Sequence, residues 1–262
     1  VYLGATVEAN VIFPHKAALG HPAWYPTPFT DASVFGMHTV PPTSSTYIWP
    51  AEDSANFQVI AVRNEIDSKD VSFKLTSSSP YPIPELTSSL YYDVYNDENW
   101  HFAVSIKPSK YPLTGRVDGA ISASEFSYEL EFRGYNNSLD YIKNSFLLTA
   151  SLSHNIGKNF LTSSKRIYAG AHRKDFTGIT QHSTDVAINS ISYWAKYIEE
   201  DSIKTHARDM ESYGALRPYK SAILHSGSKV NIPEIDTLAL HWNFSDITGS
   251  DSSGNFDVAD FS

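Results

Sequence analysis

The chain has 262 residues, of which 41% are apolar and 19% are charged, and its formal net charge is -9. Its 20 lysines and arginines are scattered, which argues against a nucleic-acid groove, because such a groove needs clustered cations to neutralise phosphates. The sequence contains no cysteine, which excludes disulfides and thiolate metal sites. No apolar run approaches the roughly 18 residues that a membrane-spanning helix needs, so we expect no membrane insertion.

Alternating apolar and polar residues, which are typical of half-buried strands, recur along the whole chain. The clearest runs are 7–13, 71–75, 100–106, 128–132 and 238–244. Weaker candidates are 33–39, 46–50, 56–63, 88–94, 145–152, 165–172 and 185–194. Clusters rich in Pro, Gly and Ser lie between several of these runs and indicate loops. The pattern therefore predicts about a dozen short strands.

The candidate strand 185–194 has an irregular pattern. Val186 and Ile188 share one parity, whereas Ile191 and Tyr193 share the other. A regular strand cannot bury both pairs on one face, because successive side chains point to opposite sides of the sheet. Either a β-bulge near Asn189 resets the register, which is the interpretation we favour, or both faces of this strand are covered.

A single segment, residues 199–210, has a helical pattern. Ile203, Ala207 and Met210 form one apolar stripe, Glu199 and Glu200 lie near its start, and a glycine follows at position 214. One short helix among many strands predicts an all-β protein with two packed antiparallel sheets.

The segment 215–235 is polar and weakly patterned, and we predict a boundary there. The expected domains are residues 1–214 and a linker and strand at 215–262 that could begin a further module. The chain begins at Val1 and stops at Ser262 without a closing element, and we expect it to be a piece of a longer polypeptide.

Three segments follow one another in a recognisable order. Trp100 and His101 open an apolar run, residues 166–172 followed by 176–178 have the pattern of a strand and turn, and residues 185–209 combine an aromatic strand end with a short helical pattern. Together they resemble the corresponding segments of laminin-G-like and concanavalin-A-like domains. The resemblance covers roughly residues 99–210. It implies that the predicted two-sheet sandwich is a jelly roll. Residues 1–98 agree with this family in their number of predicted strands alone.

A narrower resemblance concerns residues 7–14 and 35–39, which are similar to segments of tailed-phage virion structural proteins that carry such a module. It implies a non-catalytic structural or adhesive module of a larger assembly, located in the virion, with other subunits as partners. We therefore expect no enzymatic activity. The alternatives are an extracellular carbohydrate-binding lectin assisted by calcium and, with weaker support, a laminarinase-like glycosidase.

Aromatic side chains in Pro-rich loops are candidates for stacking on sugar rings. Trp24, Tyr25 and Trp49 lie in or beside such loops, whereas Trp100 and Trp194 lie in strand patterns and are expected in the core. We therefore predict carbohydrate binding, if present, at Trp24, Tyr25 and Trp49, although packing that anchors the loops would also account for them.

Glu65 and Asp67 resemble the carboxylate pair of laminarinase-like glycosidases, in which two such groups act as nucleophile and acid/base. The third acidic residue is Asp70 where the family has glutamate, and Ser68 and Lys69 are turn residues. A solvated turn between the strands 56–63 and 71–77 is the interpretation that we favour.

No cofactor is expected, with calcium as the exception to consider. Oxygen ligands of the kind that Ca²⁺ takes are offered by Asp175 and Asp185 and by the loop that contains Asp93, Asn96, Asp97 and Glu98, but the sequence assigns no ligand set. The ten histidines lack a recognisable ligand spacing, so zinc is not expected.

Overall fold

The computed structural model describes residues 4–18, 20–22, 27–39, 55–78, 82–109, 127–139, 141–162, 165–173, 179–209, 237–244, 251–252 and 256–262. These residues form two large antiparallel sheets and two helices. The predicted all-β sandwich is confirmed. No helix among these residues is long and apolar enough to cross a membrane.

The larger sheet, sheet A, has six strands in the order β13-β12-β1-β6-β7-β8. Their bounds are β1 Ala5–Phe13, β6 Glu98–Pro108, β7 Tyr128–Ser138, β8 Tyr141–Leu152, β12 Ala187–Trp194 and β13 Leu238–Asn243. The N-terminal strand β1 therefore lies in the middle of the sheet, between β12 and β6.

The smaller sheet, sheet B, has five strands in the order β5-β4-β3-β2-β9. Their bounds are β2 Asp31–Thr39, β3 Ala55–Val62, β4 Ser72–Thr76, β5 Leu86–Thr87 and β9 Lys165–Ala169. A separate two-stranded hairpin follows, made of β10 His172–Arg173 and β11 Thr180–His182.

The main core lies between the two sheets. Every second side chain of a strand points the same way, so Val7, Val11 and Phe13 of β1 face inward together and are fully buried. Phe73 of sheet B packs on Trp100 of sheet A, with ring centroids 4.6 Å apart. The predicted core residues are all buried, namely Trp100, Phe102, Val104, Leu130, Phe132 and Trp194.

The predicted bulge in strand β12 is confirmed. Asn10 of β1 pairs with Ser190, but the next residue, Val11, pairs with Ile188, so Asn189 is the extra residue. Because of this insertion, both parities face the core: Ile191 is fully buried, and Ile188 and Tyr193 pack against the same cluster.

Two elements differ from the sequence prediction. The expected helix is present as α2, Glu200–Arg208, but a second helix, α1, spans His154–Thr162. Phe160 of α1 stacks on Phe57, and the ring of Tyr128 lies against Gly157, where a Cβ would collide with it. The expectation of one helix was therefore wrong. The prediction of a strand at 88–94 was also wrong over most of its length. Within this segment, Tyr91 alone pairs as in a sheet, through an isolated bridge to Val71.

The predicted division of the chain at 215 stays a prediction, since residues 210–236 lie outside the described part. Beyond them, β13 pairs with β12 as an edge strand of sheet A, and Trp242 bridges to Asp260. The candidate strand 46–50 also lies outside the described residues.

Replacing Trp100 by alanine should lower the free energy of unfolding by about 3–5 kcal/mol, because a fully packed indole leaves a large cavity. The measurement is urea denaturation. Tyr92→Ala is the control, since Tyr92 is 78% exposed and its loss should cost under about 0.5 kcal/mol. A cost below about 1 kcal/mol for Trp100→Ala would contradict its place in the core.

Candidate functional site: a groove on the outer face of sheet B

The outer face of sheet B presents side chains whose neighbours in sequence form the core. Phe57, Val59 and Ala61 of β3 point inward, so the alternate residues of that strand point outward, namely Gln58, Ile60 and Val62. Lys74 and Thr76 of β4 lie beside them, because β3 and β4 pair in register.

A groove of about 360 Å³ lies on this face. Its base consists of the outward residues of β3 and β4, and one wall is formed by Gln181 and His182 of the β10–β11 hairpin. Asp31 of β2 and the residues Ser77 and Ser78 that follow β4 complete the lining. The volume falls within the range of about 300–1,000 Å³ that is typical of small-ligand sites.

A stack of aromatic rings supports the hairpin wall. The His172 ring lies 4.4 Å from that of His38, 4.7 Å from that of Tyr168 and 6.0 Å from that of His182, measured between centroids. Tyr168 covers Gly36, where any side chain would collide with the phenol ring. The stack therefore runs from the buried surface of β2 to the groove.

The two inner histidines of this stack are held uncharged. Burial, and then the neighbouring His172 ring, lower the pKa of His38 to about 3. Burial, and then His182, lower the pKa of His172 to about 4. Neutral rings can stack without charge repulsion, so the stack holds the hairpin in place at neutral pH.

The groove combines apolar floor residues with polar groups that have hydrogen-bonding capacity. Gln58 is only 6% exposed, and Gln181 Oε1 is a buried acceptor without a hydrogen-bond partner among the described residues. Asp31 is exposed and accepts a hydrogen bond from the Thr30 hydroxyl at 3.2 Å. A buried acceptor that is left unpaired costs free energy, and a ligand donor would reach Gln181 Oε1 only after this side chain turns toward the groove.

The predicted carbohydrate-binding residues Trp24, Tyr25 and Trp49 lie outside the described residues, as does the calcium candidate Asp175. That prediction therefore stays a prediction. The groove residues were missed because polar side chains at alternate strand positions have the pattern of any solvated sheet face.

The acidic loop 93–98 directs its side chains to different partners. Asp93 Oδ2 accepts from Asn96 Nδ2 at 2.9 Å, and Asp97 Oδ1 accepts from the backbone N–H of His15 at 2.8 Å. Glu98 forms an ion pair with Lys143 at 2.8 Å. No group of three or more His, Cys, Asp or Glu side chains among the described residues has the geometry to hold a metal ion.

Asp185, another calcium candidate, is surrounded by cations. Lys16 Nζ lies 3.0 Å and Arg63 Nη1 lies 2.9 Å from Asp185 Oδ2, and Tyr95 donates its hydroxyl proton to Oδ1 at 2.6 Å. Arg63 also donates to the carbonyl oxygen of Phe29 at 2.9 Å. Both Asp185 oxygens therefore bind donors that hold the surrounding loops together, and a calcium site stays a prediction.

Glu65 and Asp67 lie in an exposed turn between β3 and β4, as the favoured interpretation predicted. They belong to the end of the hairpin and do not line the groove.

A buried charged cluster on the outer face of sheet A was not predicted. Glu8 of β1 is 2% exposed, and its Oε2 lies 2.8 Å from Nδ1 of His206 on α2. Trp194 donates its indole N–H to the same oxygen at 3.2 Å, and Nε2 of His101 lies 3.9 Å away. The Trp194 and His206 rings stack, so helix α2 covers this carboxylate completely.

The pKa of Glu8 reflects opposing effects. Burial raises it, but the charge and hydrogen bond of His206, together with His101 and Trp194, outweigh burial and lower the pKa below its ordinary value. Burial also lowers the pKa of His101 to about 4. A neighbouring cluster has the same character: Lys107, Arg133 and the Tyr197 hydroxyl all bind Glu131, whose pKa is lowered because these donors outweigh its burial.

Comparison with known proteins found no matching family model and no matching curated protein. Among solved structures, the chain is similar to the enzymatically active domain of tailspike protein 2 of bacteriophage CBA120, with 13% identity and a TM-score of 0.41 over 79% of this chain and 24% of that one. Full-length tailspike protein 2 from an Escherichia coli O157:H7 bacteriophage matches with 12% identity and a TM-score of 0.40 over 79% of this chain and 22% of that one.

The chain thus spans about a quarter of the length of the tailspike structures that it matches. The expectation that the chain has no enzymatic activity is corrected by this finding, because one of these structures is described as an enzymatically active domain. The likeness assigns no activity to this chain, and the laminin-G-like and concanavalin-A-like assignment remains a resemblance in sequence.

Replacing Asp185 by asparagine should lower the free energy of unfolding by about 3–5 kcal/mol, because it leaves Lys16 and Arg63 without their buried counter-charge. The measurement is urea denaturation at pH 7. Asp67→Asn, in the exposed turn, is the matched control and should change stability by under about 0.5 kcal/mol. Equal effects of the two substitutions would show that the Asp185 cluster adds nothing to stability.

Acid should destabilise the protein through its buried histidines His38, His101 and His172, whose lowered pKa values oppose protonation in the folded state, and then through Glu8. The unfolded chain protonates His101 below about pH 6.5. The folded chain resists protonation until about pH 4, so stability falls as the pH decreases through that window. Glu8, with a folded pKa below 4.5, contributes stability above that pH and loses it as the pH falls further.

The measurement is the urea midpoint between pH 8 and pH 3. In His101→Gln, the loss of stability between pH 6.5 and pH 4 should be smaller than in the unmodified protein. His21→Gln is the control, since His21 is exposed. An unchanged pH profile in His101→Gln would contradict the assignment of this window to His101.

Proposed function

We propose that this chain is a glycan-binding β-sandwich module of a phage virion assembly and that the groove on sheet B is its binding site. The observation that carries the binding proposal is the groove itself, in which the polar residues Gln58 and Gln181 lie beside the apolar residues Ile60 and Val62. Binding sites of this kind combine apolar surface with a small number of polar groups that fix orientation.

A sugar ring matches this combination. Its hydroxyl groups donate and accept hydrogen bonds, and Gln58, Gln181 and Asp31 offer amide and carboxylate partners. Its C–H face is apolar and can lie against Ile60 and Val62. The stacked histidines keep the Gln181 wall fixed relative to β2, which reduces the ordering cost of binding.

The virion part of the proposal is supported by the sequence resemblance of residues 7–14 and 35–39 to tailed-phage structural proteins. The finer laminin-G-like or concanavalin-A-like relationship is supported by residues 99–210 and agrees with two packed antiparallel sheets. Other subunits of the particle are the partners that this reading implies.

The test is a glycan array followed by calorimetry with the best ligand. Gln181→Met keeps the size of the side chain and removes the acceptor, and it should weaken binding by about tenfold or more, since a hydrogen bond to a buried group is lost. Thr180→Ala, at an exposed neighbouring position of the hairpin, is the control and should bind as the unmodified protein does.

Release of reducing ends is followed in the same samples, because binding and cleavage would use the same groove. The absence of saturable binding to any glycan would contradict the proposed function. Saturable binding that Gln181→Met leaves unchanged would contradict the assignment of the groove.

A further inference from the structure

We infer that the groove selects uncharged glycans over acidic ones, and that Glu85 enforces this selection by neutralising Lys74. The inference rests on the proposed function of the groove and adds the class of ligand. The geometry that carries it is the ion pair at the edge of the groove, in which Lys74 Nζ lies 2.8 Å from Glu85 Oε2.

Strand pairing fixes this ion pair. Lys74 projects from the outer face of β4, and Lys74 and Leu75 pair with Thr87 and Leu86 of the short strand β5. Glu85 immediately precedes β5, so its carboxylate is brought back over Lys74. Among the described residues that line the groove, Lys74 is the only lysine or arginine, and it already has an anionic partner in Glu85.

Among the described residues that line the groove, the other formal charge is negative. Asp31 lines it on the β2 side and is exposed, and Glu85 lies at the β4 side. With Lys74 these groups sum to one negative charge. A glycan with carboxylates would approach two acidic side chains and one neutralised lysine, and like charges at this range repel because they lie within about one Debye length.

Hydrogen-bonding capacity favours the same ligand class. Gln181 Oε1 is a buried acceptor and needs a donor. Hydroxyl groups supply donors in every orientation, whereas an ionised carboxylate only accepts. Every exocyclic group of a neutral hexose can therefore donate to Gln181 Oε1, whereas a carboxylate of a uronic acid set against this oxygen would leave two acceptors facing each other.

The test compares two neutral polymers, laminarin and dextran, with two acidic polymers, polygalacturonate and alginate. The unmodified protein should bind the better neutral polymer about tenfold more tightly than either acidic one. Raising the salt concentration should leave binding of the neutral polymer unchanged, because that contact involves no ion pair with the ligand.

The Glu85→Gln variant frees Lys74 and should raise the affinity for the acidic polymers by about threefold, with little change for the neutral one. Glu65→Gln is the matched control, because it makes the same change in net charge at an exposed turn away from the groove. A gain in both variants would show a general charge effect and would overturn the role of Glu85.

Tighter binding of acidic polymers by the unmodified protein, weakened by Gln181→Met, would overturn the inference while supporting the groove as the site. Unchanged affinities in Glu85→Gln would overturn the inference in the same way. If neither the unmodified protein nor any variant binds any of the four polymers, the inference is contradicted. If no glycan on the array binds either, the proposed function itself is contradicted.

Discussion

The central strands of the larger sheet are covered on both faces, and this constraint shapes the rest of the molecule. Their inner face packs on sheet B, and part of their outer face lies under helix α2. A strand whose residues alternate between apolar and polar therefore buries its polar side chains as well. Glu8 and Glu131 remain ionised there because cationic and hydrogen-bonding partners converge on each of them. The outer face of sheet B, by contrast, keeps an open groove.

Periodicity predicted much of the fold, because inward-facing apolar residues at every second position leave a direct trace in the sequence. The parity change in strand β12 also predicted a bulge near Asn189 and Ser190, and the structure shows that Asn189 is the extra residue. Helix α1 was missed since it is short and contains Gly157, which is unfavourable inside a helix, and its packing against Tyr128 is what stabilises it there. Local propensity could not indicate that contact, because Tyr128 lies in another element.

The candidate site was harder to predict than the fold, for a related reason. The sequence named Asp185 among possible oxygen ligands, and it could not show that Lys16 and Arg63, far away in sequence, bind this carboxylate in the folded chain. Gln58 lies on β3 of sheet B and Gln181 lies on β11 of the separate hairpin. Their separation in the sequence does not indicate that they line one groove. The chemistry of a polar residue depends on its partners, and those partners are set by topology that composition does not encode.

The central position of β1 has a consequence for how the chain reaches this structure. Strand β1 is synthesised before the other strands of its sheet, but one of its neighbours is β12, and the partner of Glu8 on α2 lies 198 residues later. At a translation rate of about 5–20 residues per second, β1 waits roughly 10–40 s for that helix. During this interval, β1 can pair with β6 but lacks β12, so its other edge is open to any competing strand. Early pairing with β6 and β7 would shorten the exposure, whereas anything that delays residues 187–208 prolongs the aggregation-prone state.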